Sequence, residues 1–393
     1  MKEMKNVYLD NAATTPIDPQ VVEAMIPYLQ NHFGNPSSSH SFGRKVKTAI
    51  ETSRRKISKM LNCSPAEICF TSGGTEADNL ALKASIFDLG CTHIITSAIE
   101  HSAVIKTAER LADEGKIRLS LVRLTENGHV DLAHLAELLD TPDKTLVTLM
   151  HANNEIANVL PLQQVSDLCR ANGALFHSDT VQTMGHIPFD LQALDIDFIT
   201  CAAHKFHGPK GTGFLYINKN LKINSMIIGG GQERSLRGGT ENIYGIVGLA
   251  KALELAYEDV EGHRNHVLGL KMYMKDSLQE MIPDVKFNGD CVNENSLYTV
   301  LNVNFPPNPN GGMLLFLLDL EGVAASGGSA CSSGAAKGSH VLEGINAMEP
   351  GRASIRFSFS RFTEKADIDH ALAAVGKVLG VKQTETEKVT HGS

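Results

Sequence analysis

Lys205 stands in Ala203-His204-Lys205-Phe206-His207-Gly208-Pro209, just past an apolar run, between histidines and ahead of a glycine-rich turn. A lysine at a strand's carboxyl end lies where open α/β sheets bind ligands. Its amine there can form a Schiff base with a carbonyl. Read alone, the pattern fits a surface lysine beside a hairpin turn equally well. Asp179, in His177-Ser178-Asp179-Thr180-Val181-Gln182, also follows an apolar run. A carboxylate there can pair with a protonated ring nitrogen, the partner an electron-sink cofactor needs, or it can cap the next turn. Gln182, three residues on, can face the same cavity. Ser72-Gly73-Gly74-Thr75-Glu76 opens a helix whose first amides suit a phosphate, and an ordinary strand-to-helix turn reads the same way. His101, in Ala98-Ile99-Glu100-His101-Ser102, can stack on a planar ring or serve only structure. Each signal is weak alone. Four of them at four strand ends of one sheet converge in space.

The elements that must position them alternate from about residue 16 to 260. Strands are predicted at Ile68–Thr71, His93–Ser97, Arg118–Leu124, Thr145–Met150, Ala174–His177, Phe198–Ala202 and Gly213–Ile217. Helices are predicted from Glu76, after Ser102 as a cap, over Asp131–Leu139 and over Leu162–Arg170. Such alternation implies a mainly parallel, seven-stranded sheet with helices on both faces. After about residue 260 the pattern changes. Thr240–Met281 is long and mostly helical. Tyr298–Asn304 and Ser354–Phe359 read as strands, Met313–Leu320 and Lys365–Leu379 as helices. The expectation is a large cofactor-binding domain over 16–260 and a smaller α+β domain made of 1–15 with 261–393. Within the latter, 326–339 holds nine Gly or Ser among fourteen residues. That composition cannot pack a core and predicts a mobile loop. Cys331 lies in it, where no apolar pattern would bury a thiol.

The chain has 393 residues and a net charge of −8. A mild acidic surplus argues against a nucleic-acid backbone binder. The longest wholly apolar run, Met313–Leu318, is far too short to span a membrane. The opening Met-Lys-Glu-Met-Lys-Asn has no apolar core of a secretory signal. Seven cysteines without CxxC pairs speak for reduced thiols in a cytoplasmic protein and against a metal ribbon.

Taken together, the motifs resemble those of the cysteine desulfurases of the NifS/IscS type, among the class V aminotransferase-fold pyridoxal phosphate enzymes. The likeness runs from Tyr8 to about Ala373. It rests on Tyr8-Leu9-Asp10-Asn11-Ala12-Ala13-Thr14-Thr15-Pro16, Gly34-Asn35-Pro36-Ser37-Ser38 and Thr71 to Glu76. It continues through Glu100-His101, Asn153-Asn154-Glu155, Asp179 with Gln182, His204-Lys205 and Arg237 to Asn242. Ser329-Ala330-Cys331-Ser332 and Ser354-Ile355-Arg356-Phe357 complete it.

The resemblance implies the pyridoxal phosphate-dependent transferase fold (fold type I) and conversion of L-cysteine to L-alanine with a persulfide on Cys331. Lys205 would hold the cofactor and move the Cα proton. Asp179 would keep the ring nitrogen protonated, Gln182 would bond the ring oxygen, and His101 would stack over the ring and shuttle protons, with Asn154 beside it. Gly74, Thr75 and His204 would hold the phosphate, aided by Thr240 from the other subunit of a homodimer. Arg356 and Asn35, with Asn154, would bind the substrate carboxylate, a bidentate task that suits arginine. A sulfur acceptor, such as an iron–sulfur scaffold protein, would take the persulfide. A selenocysteine lyase and an aminotransferase of the same fold are the alternatives. Two departures stand out. Ala202 replaces a serine whose hydroxyl contacts the phosphate, and Ala157 replaces a glycine.

Overall fold

The computed structural model describes residues 6–327 and 338–381. The first half comprises β1 (Val7–Tyr8), α1 (Pro19–Gln30), α2 (Ser41–Met60), β2 (Ile68–Thr71), α3 (Gly74–Phe87), β3 (His93–Thr96) and α4 (Ser102–Asp113). Next come β4 (Arg118–Leu121), α5 (Leu132–Leu139), β5 (Thr145–Thr148), α6 (Leu162–Ala171), β6 (Leu175–Asp179), β7 (Phe198–Ala202) and β8 (Gly213–Ile217). The remainder is α7 (Ile243–Glu258), α8 (Val260–Met281), β9 (Lys286–Phe287), β10 (Val300–Phe305), α9 (Leu314–Leu320), β11 (Val323–Ala324), α10 (His340–Gly344), β12 (Ala353–Ser358) and α11 (Lys365–Leu379).

One seven-stranded sheet has the order β2-β8-β7-β6-β5-β3-β4. It is parallel except that β8 runs antiparallel to β2 and β7. Its central strands are buried on both faces, as a sheet covered by helices on each side requires. The alternation of the pleat sorts the side chains. Leu146, Phe198 and Leu215 pack with α3 and α4 residues such as Leu80 and Val104. Their neighbours Val147, Ile199 and Phe214 pack on the opposite face with Val46 of α2 and Leu249 of α7. Thr148, His177, Asp179 and Thr200 share the α3 face by the same alternation, because β5 pairs with β6 at Thr148–His177 and β6 with β7 at Asp179–Thr200.

A second core gathers Val7 and Leu9 with Val267, Leu270, Val300, Phe357 and Ile368. There β12, β10 and β9 form an antiparallel sheet, and β1 pairs with β11 in parallel. Among the described residues, no helix is long and apolar enough to cross a membrane.

Several expected boundaries move, each for a local reason. The helical stretch to Met281 is two helices, broken at Asp259 (φ −147), whose carboxylate caps the Gly262 amide. Helix α3 begins at Gly74, two residues ahead of Glu76, and the Glu76 carboxylate accepts from the Ser72 amide instead. The cap of α4 is His101, not Ser102. Strand β4 stops at Leu121, and Leu124 instead bridges Val130 across the Asn127-Gly128 turn. Strand β6 runs two residues beyond His177, so Asp179 ends it.

Candidate active site

A cavity of about 360 Å³ opens at the carboxyl ends of β5, β6 and β7. Lys205 enters it from a single 3-10 turn, Ala203–Lys205, that follows β7 directly. That turn closes only because residue 208 is glycine: a Cβ there would sit 2.8 Å from the Ala203 carbonyl oxygen. The amino-terminal segment is stitched to the same loop. Thr15 N–H donates to the His204 carbonyl, and His207 N–H donates to the Thr15 hydroxyl. The Lys205 ammonium donates to the carbonyls of Ala12 and Ala13, at 2.5 and 3.0 Å. Gln182 Nε2 donates to the same Ala12 oxygen at 3.0 Å.

At one end of the cavity lie Gly74 and Thr75, the first residues of α3. Their helix has Gly73 (φ +146) as its cap, so no side chain satisfies its first amides. A Cβ on Gly74 would press within 2.9 Å of Val181, which leaves the backbone bare at that spot. Unsatisfied amides at a helix start with no side chain in the way suit a phosphate. His204 borders the same end, its Nδ1 3.1 Å from the Thr14 hydroxyl. Burial first, then the Lys205 and Lys210 charges, push its pKa down to about 4. It meets an anion as a neutral N–H donor.

Asp179, His101 and Asp78 line the same cavity. The Asp179 carboxylate accepts from the Val181 amide at 2.9 Å. Burial raises its pKa, while His101, that amide and Lys205 oppose the rise. His101 Nδ1 accepts from the Ala103 amide, so a neutral His101 carries its proton on Nε2. One ligand-capable atom from each of Asp78, His101 and Asp179 lies within 4.8 Å of the others. This is a pocket that welcomes a protonated ring nitrogen.

Arg356, from β12, closes the third side and is 1% exposed. Its guanidinium donates to Asp10 Oδ1 (2.8 Å) and to the Asn154 carbonyl (3.0 Å), while its buried Nε has no acceptor. A fork with a donor to spare suits a carboxylate. The residues present therefore fit pyridoxal phosphate and an amino-acid substrate: bare amides for the phosphate, an amine for attachment, a carboxylate for the ring and a guanidinium for the substrate.

The structure brings Gly74, Thr75, His101, Asn154, Asp179, Gln182, His204, Lys205 and Arg356 to this one cavity. Asn35 does not line it; exposed, it caps its own turn through the Ser37 amide. Thr240 is exposed in a separate cleft beside Arg237 and Thr71. Cys331 lies outside the described residues, as does most of the loop predicted to be mobile. The ends of that loop are held: Ser326 bridges Arg356 in β12, and Ser339 caps α10. Ala202 does border the cavity, and Ala157 has φ +62, the left-handed backbone that favours glycine.

Sequence reasoning missed Asp78, Met150 and His340, all of which line the cavity, and gave Glu155 no role. His340 Nε2 donates to the Glu100 carbonyl at 2.9 Å, which places α10 over the His101 side. No motif marks Asp78. The one available sign was its spacing of four from Gly74, which puts both on one helix face.

The described cysteines, Cys63, Cys69, Cys91, Cys169, Cys201 and Cys291, are all free and buried or half-buried. Burial pushes the thiols of Cys63, Cys69 and Cys169 up to about 12 and those of Cys91 and Cys291 to about 11, and raises Cys201 as well. None of these six is a nucleophile at neutral pH.

The model of the class-V aminotransferases matches residues 7–371. A cysteine desulfurase IscS of Dictyoglomus turgidum is 43% identical over 378 residues, 95% of each chain. One from Clostridium botulinum is 40% identical over 378 residues, 95% of this chain and 94% of the other. Among solved structures, a NifS-like protein superposes with a TM-score of 0.88 at 36% identity, covering 96% of this chain and all of the other. SspA in complex with cysteine superposes with a TM-score of 0.79 at 30% identity, covering 91% of this chain and all of the other. A family match that spans nearly the whole chain, with relatives at 40–43% identity over 95% of it, makes this chain a member of the class-V aminotransferase family, among its pyridoxal phosphate-dependent cysteine desulfurases.

Proposed function

We propose that the cavity converts L-cysteine to L-alanine and passes the sulfur, as a persulfide on Cys331, to an acceptor protein such as an iron–sulfur scaffold. The observation that carries this reading is the convergence of Lys205, Asp179, the α3 amides and Arg356 on one cavity. Pyridoxal phosphate, when bound, supplies a sink for the electrons released at the substrate Cα. Gly74, Thr75 and the neutral His204 would bind its phosphate, and Asp179 would hold the proton on its ring nitrogen. His101 would pack against the ring, and Gln182 would bond its oxygen. Arg356 orients the substrate through its carboxylate, with Asn154 alongside; Asn35 joins them only by a movement of its turn. The Lys205 amine carries the substrate Cα proton.

Cys331 does the sulfur chemistry. Its thiolate attacks the substrate sulfur, an S–S bond forms and the C–S bond breaks. The C–S electron pair stays on the carbon fragment, which takes up a proton and leaves as alanine. The inert state of the six described thiols supports this assignment, and in the sequence Cys331 stands among Gly and Ser residues with no apolar pattern around it.

The active form is a cytoplasmic homodimer in this reading. Thr240 is exposed and does not line its own chain's cavity, which leaves it available to the phosphate of a partner subunit. The large domain over 16–260 carries the cofactor, and the small domain of 1–15 and 261–393 presents Arg356 and the cysteine loop.

The test gives L-cysteine to the holoenzyme and follows alanine release together with the mass of the Cys331 peptide. Stoichiometric alanine and a gain of one sulfur on Cys331 are expected. Cys331→Ala should keep the cofactor's visible band and lose both products, and Lys205→Ala should lose the band itself. A keto acid in place of alanine, or normal turnover by Cys331→Ala, overturns the reading.

A further inference from the structure

Asp78 and Asp179 are two carboxyl groups buried side by side, 1% and 6% exposed, with oxygens within 4.8 Å. Helix α3 delivers Asp78 to this place. Gly74 and Asp78 are four residues apart and share the face that packs on β6 and β7. The register of the sheet brings Thr148, His177 and Thr200 under the same helix. His177 is neutral, its pKa pushed down by burial to about 3, and its ring bonds Thr148 at 2.8 Å and Thr200 at 3.0 Å. Its Nε2 is 3.5 Å from Asp78 Oδ1, an oxygen that no hydrogen bond satisfies.

Two adjacent buried carboxyls cannot both ionise cheaply, so the pair holds a proton. The surroundings decide where. Asp179 receives the Val181 amide and faces the His101 ring and the Lys205 amine. The His101 ring also lies within 4.8 Å of Asp78, but among the described residues no backbone amide donates to Asp78 and no lysine or arginine lowers its pKa. Burial, Asp179 and Glu100 all raise its pKa, and only the Thr200 hydroxyl opposes them.

We propose that Asp78 is a positioning residue, a neutral carboxyl standing beneath Asp179 that keeps it the single buried carboxylate facing the ring nitrogen. A neutral acid has an O–H to give, and an oxygen of Asp179 lies within 4.8 Å. An ionised Asp78 would raise the proton affinity of Asp179 and draw the proton away from the ring. The inference rests on the proposed placing of the ring nitrogen at Asp179.

Infrared spectra of the holoenzyme at neutral pH, with carboxyl-labelled aspartate, test it. The label separates aspartates from Glu100, whose own pKa burial raises to about 8. An aspartic-acid carbonyl band is expected in the parent enzyme and absent from Asp78→Asn. The pH midpoint of the cofactor's visible band should be unchanged in Asp78→Asn, since one neutral group replaces another. A fall of about one unit, a tenfold loss of proton affinity, would mean that a charge had been removed, and would overturn the proposal. So would a labelled acid band that is missing from the parent or survives in Asp78→Asn. Should Asp78→Asn not fold, Thr200→Val must shift the frequency of that band, and an unmoved band overturns the proposal equally. Asp179→Ala separates the two readings: an unaltered cofactor spectrum there defeats the ring-nitrogen placing, whatever Asp78 does.

Discussion

The Ser339 hydroxyl donates to Glu155 Oε2 at 2.5 Å, joining the start of α10 to the turn whose next residue back, Asn154, holds Arg356 through its carbonyl. The carboxyl-terminal end of the cysteine loop and the group placed to bind substrate are thus fixed to one short segment. The turn has its own brace. The Asn153 side chain accepts from the Glu155 and Ile156 amides and donates to the Ile99 carbonyl.

Ser339→Ala should therefore cost more than a surface change. It removes the cap on the Leu342 amide and strips a donor from a fully buried carboxyl whose other oxygen already has none. A lost cap and an unsatisfied buried group together cost about 2–4 kcal/mol. Urea unfolding should show that loss, and the KM for cysteine should rise because Arg356 shares the segment. Unchanged stability would mean that Glu155 finds another partner.

Acid should unfold the protein through its histidines. Burial holds His151, His186 and His207 down to about 4 and His177 to about 3. The unfolded chain binds a proton at each near pH 6.5, while the folded one refuses it. Between about pH 6.5 and 4 the unfolded state therefore holds more protons, and stability falls as pH falls. Each group contributes a slope of up to about 1.4 kcal/mol per pH unit. Urea midpoints measured from pH 7 to 4.5 should drop steadily, and His151→Gln should shallow the slope. A flat profile would mean that these rings are hydrated and titrate normally.

How much of this was legible depends on what each residue advertises. Strands β7 and β8 and helix α11 stand where the sequence predicts them, since apolar runs between Gly, Pro and polar residues admit few readings. The break at Asp259 was hidden, because nothing in Tyr257-Glu258-Asp259-Val260 forbids a helix; Asp259 ends one helix, and its side chain caps the next. His101 was read for chemistry and Ser102 for capping, whereas the structure gives His101 the cap as well. Asp78 was invisible for a different reason. An aspartate on a helix reads as solvated, and only packing against β6 and β7 buries it. Asn35 and Thr240 carry motif signals, but their chemistry depends on where the chain or a second subunit lies, which no local pattern encodes.

Ala157 offers a backbone test. It holds φ +62 with its amide bonded to the Asn153 carbonyl, and it is fully buried. Leaving the left-handed region to an L-residue costs roughly 1–2 kcal/mol. Ala157→Gly would recover that, then lose about 0.8 kcal/mol of methyl burial and about 0.5–1 kcal/mol of chain entropy. The two sides nearly cancel, so stability should change by less than about 1 kcal/mol. Ala157→Val should lose roughly 1–3 kcal/mol from overpacking alone, with a β-branch in a forbidden region added to it. Thermal unfolding of the two variants checks the pair, and a tolerated valine would show that the turn can relax.

In the proposed site, Ala202 bears on the grip on the phosphate, since it borders the cavity. Its Cβ lies 3.7 Å from the point where a Cβ on Gly74 would stand, so a hydroxyl on residue 202 would stand beside the start of α3. A hydrogen bond to a charged group contributes roughly 1.5–3 kcal/mol, about tenfold or more in affinity. Without it, the proposed site would leave the load to Thr75, the neutral His204, the helix start and Thr240 of a partner subunit. Ala202→Ser should slow loss of the cofactor on dialysis by about tenfold. Thr240→Ala should weaken retention in the parent more than in Ala202→Ser, because the added hydroxyl then takes part of the phosphate's charge. It should also tie retention to protein concentration, since a partner's side chain acts only while the dimer persists. Retention that is equal in monomer and dimer would remove Thr240 from the site and leave the phosphate to the groups of one chain.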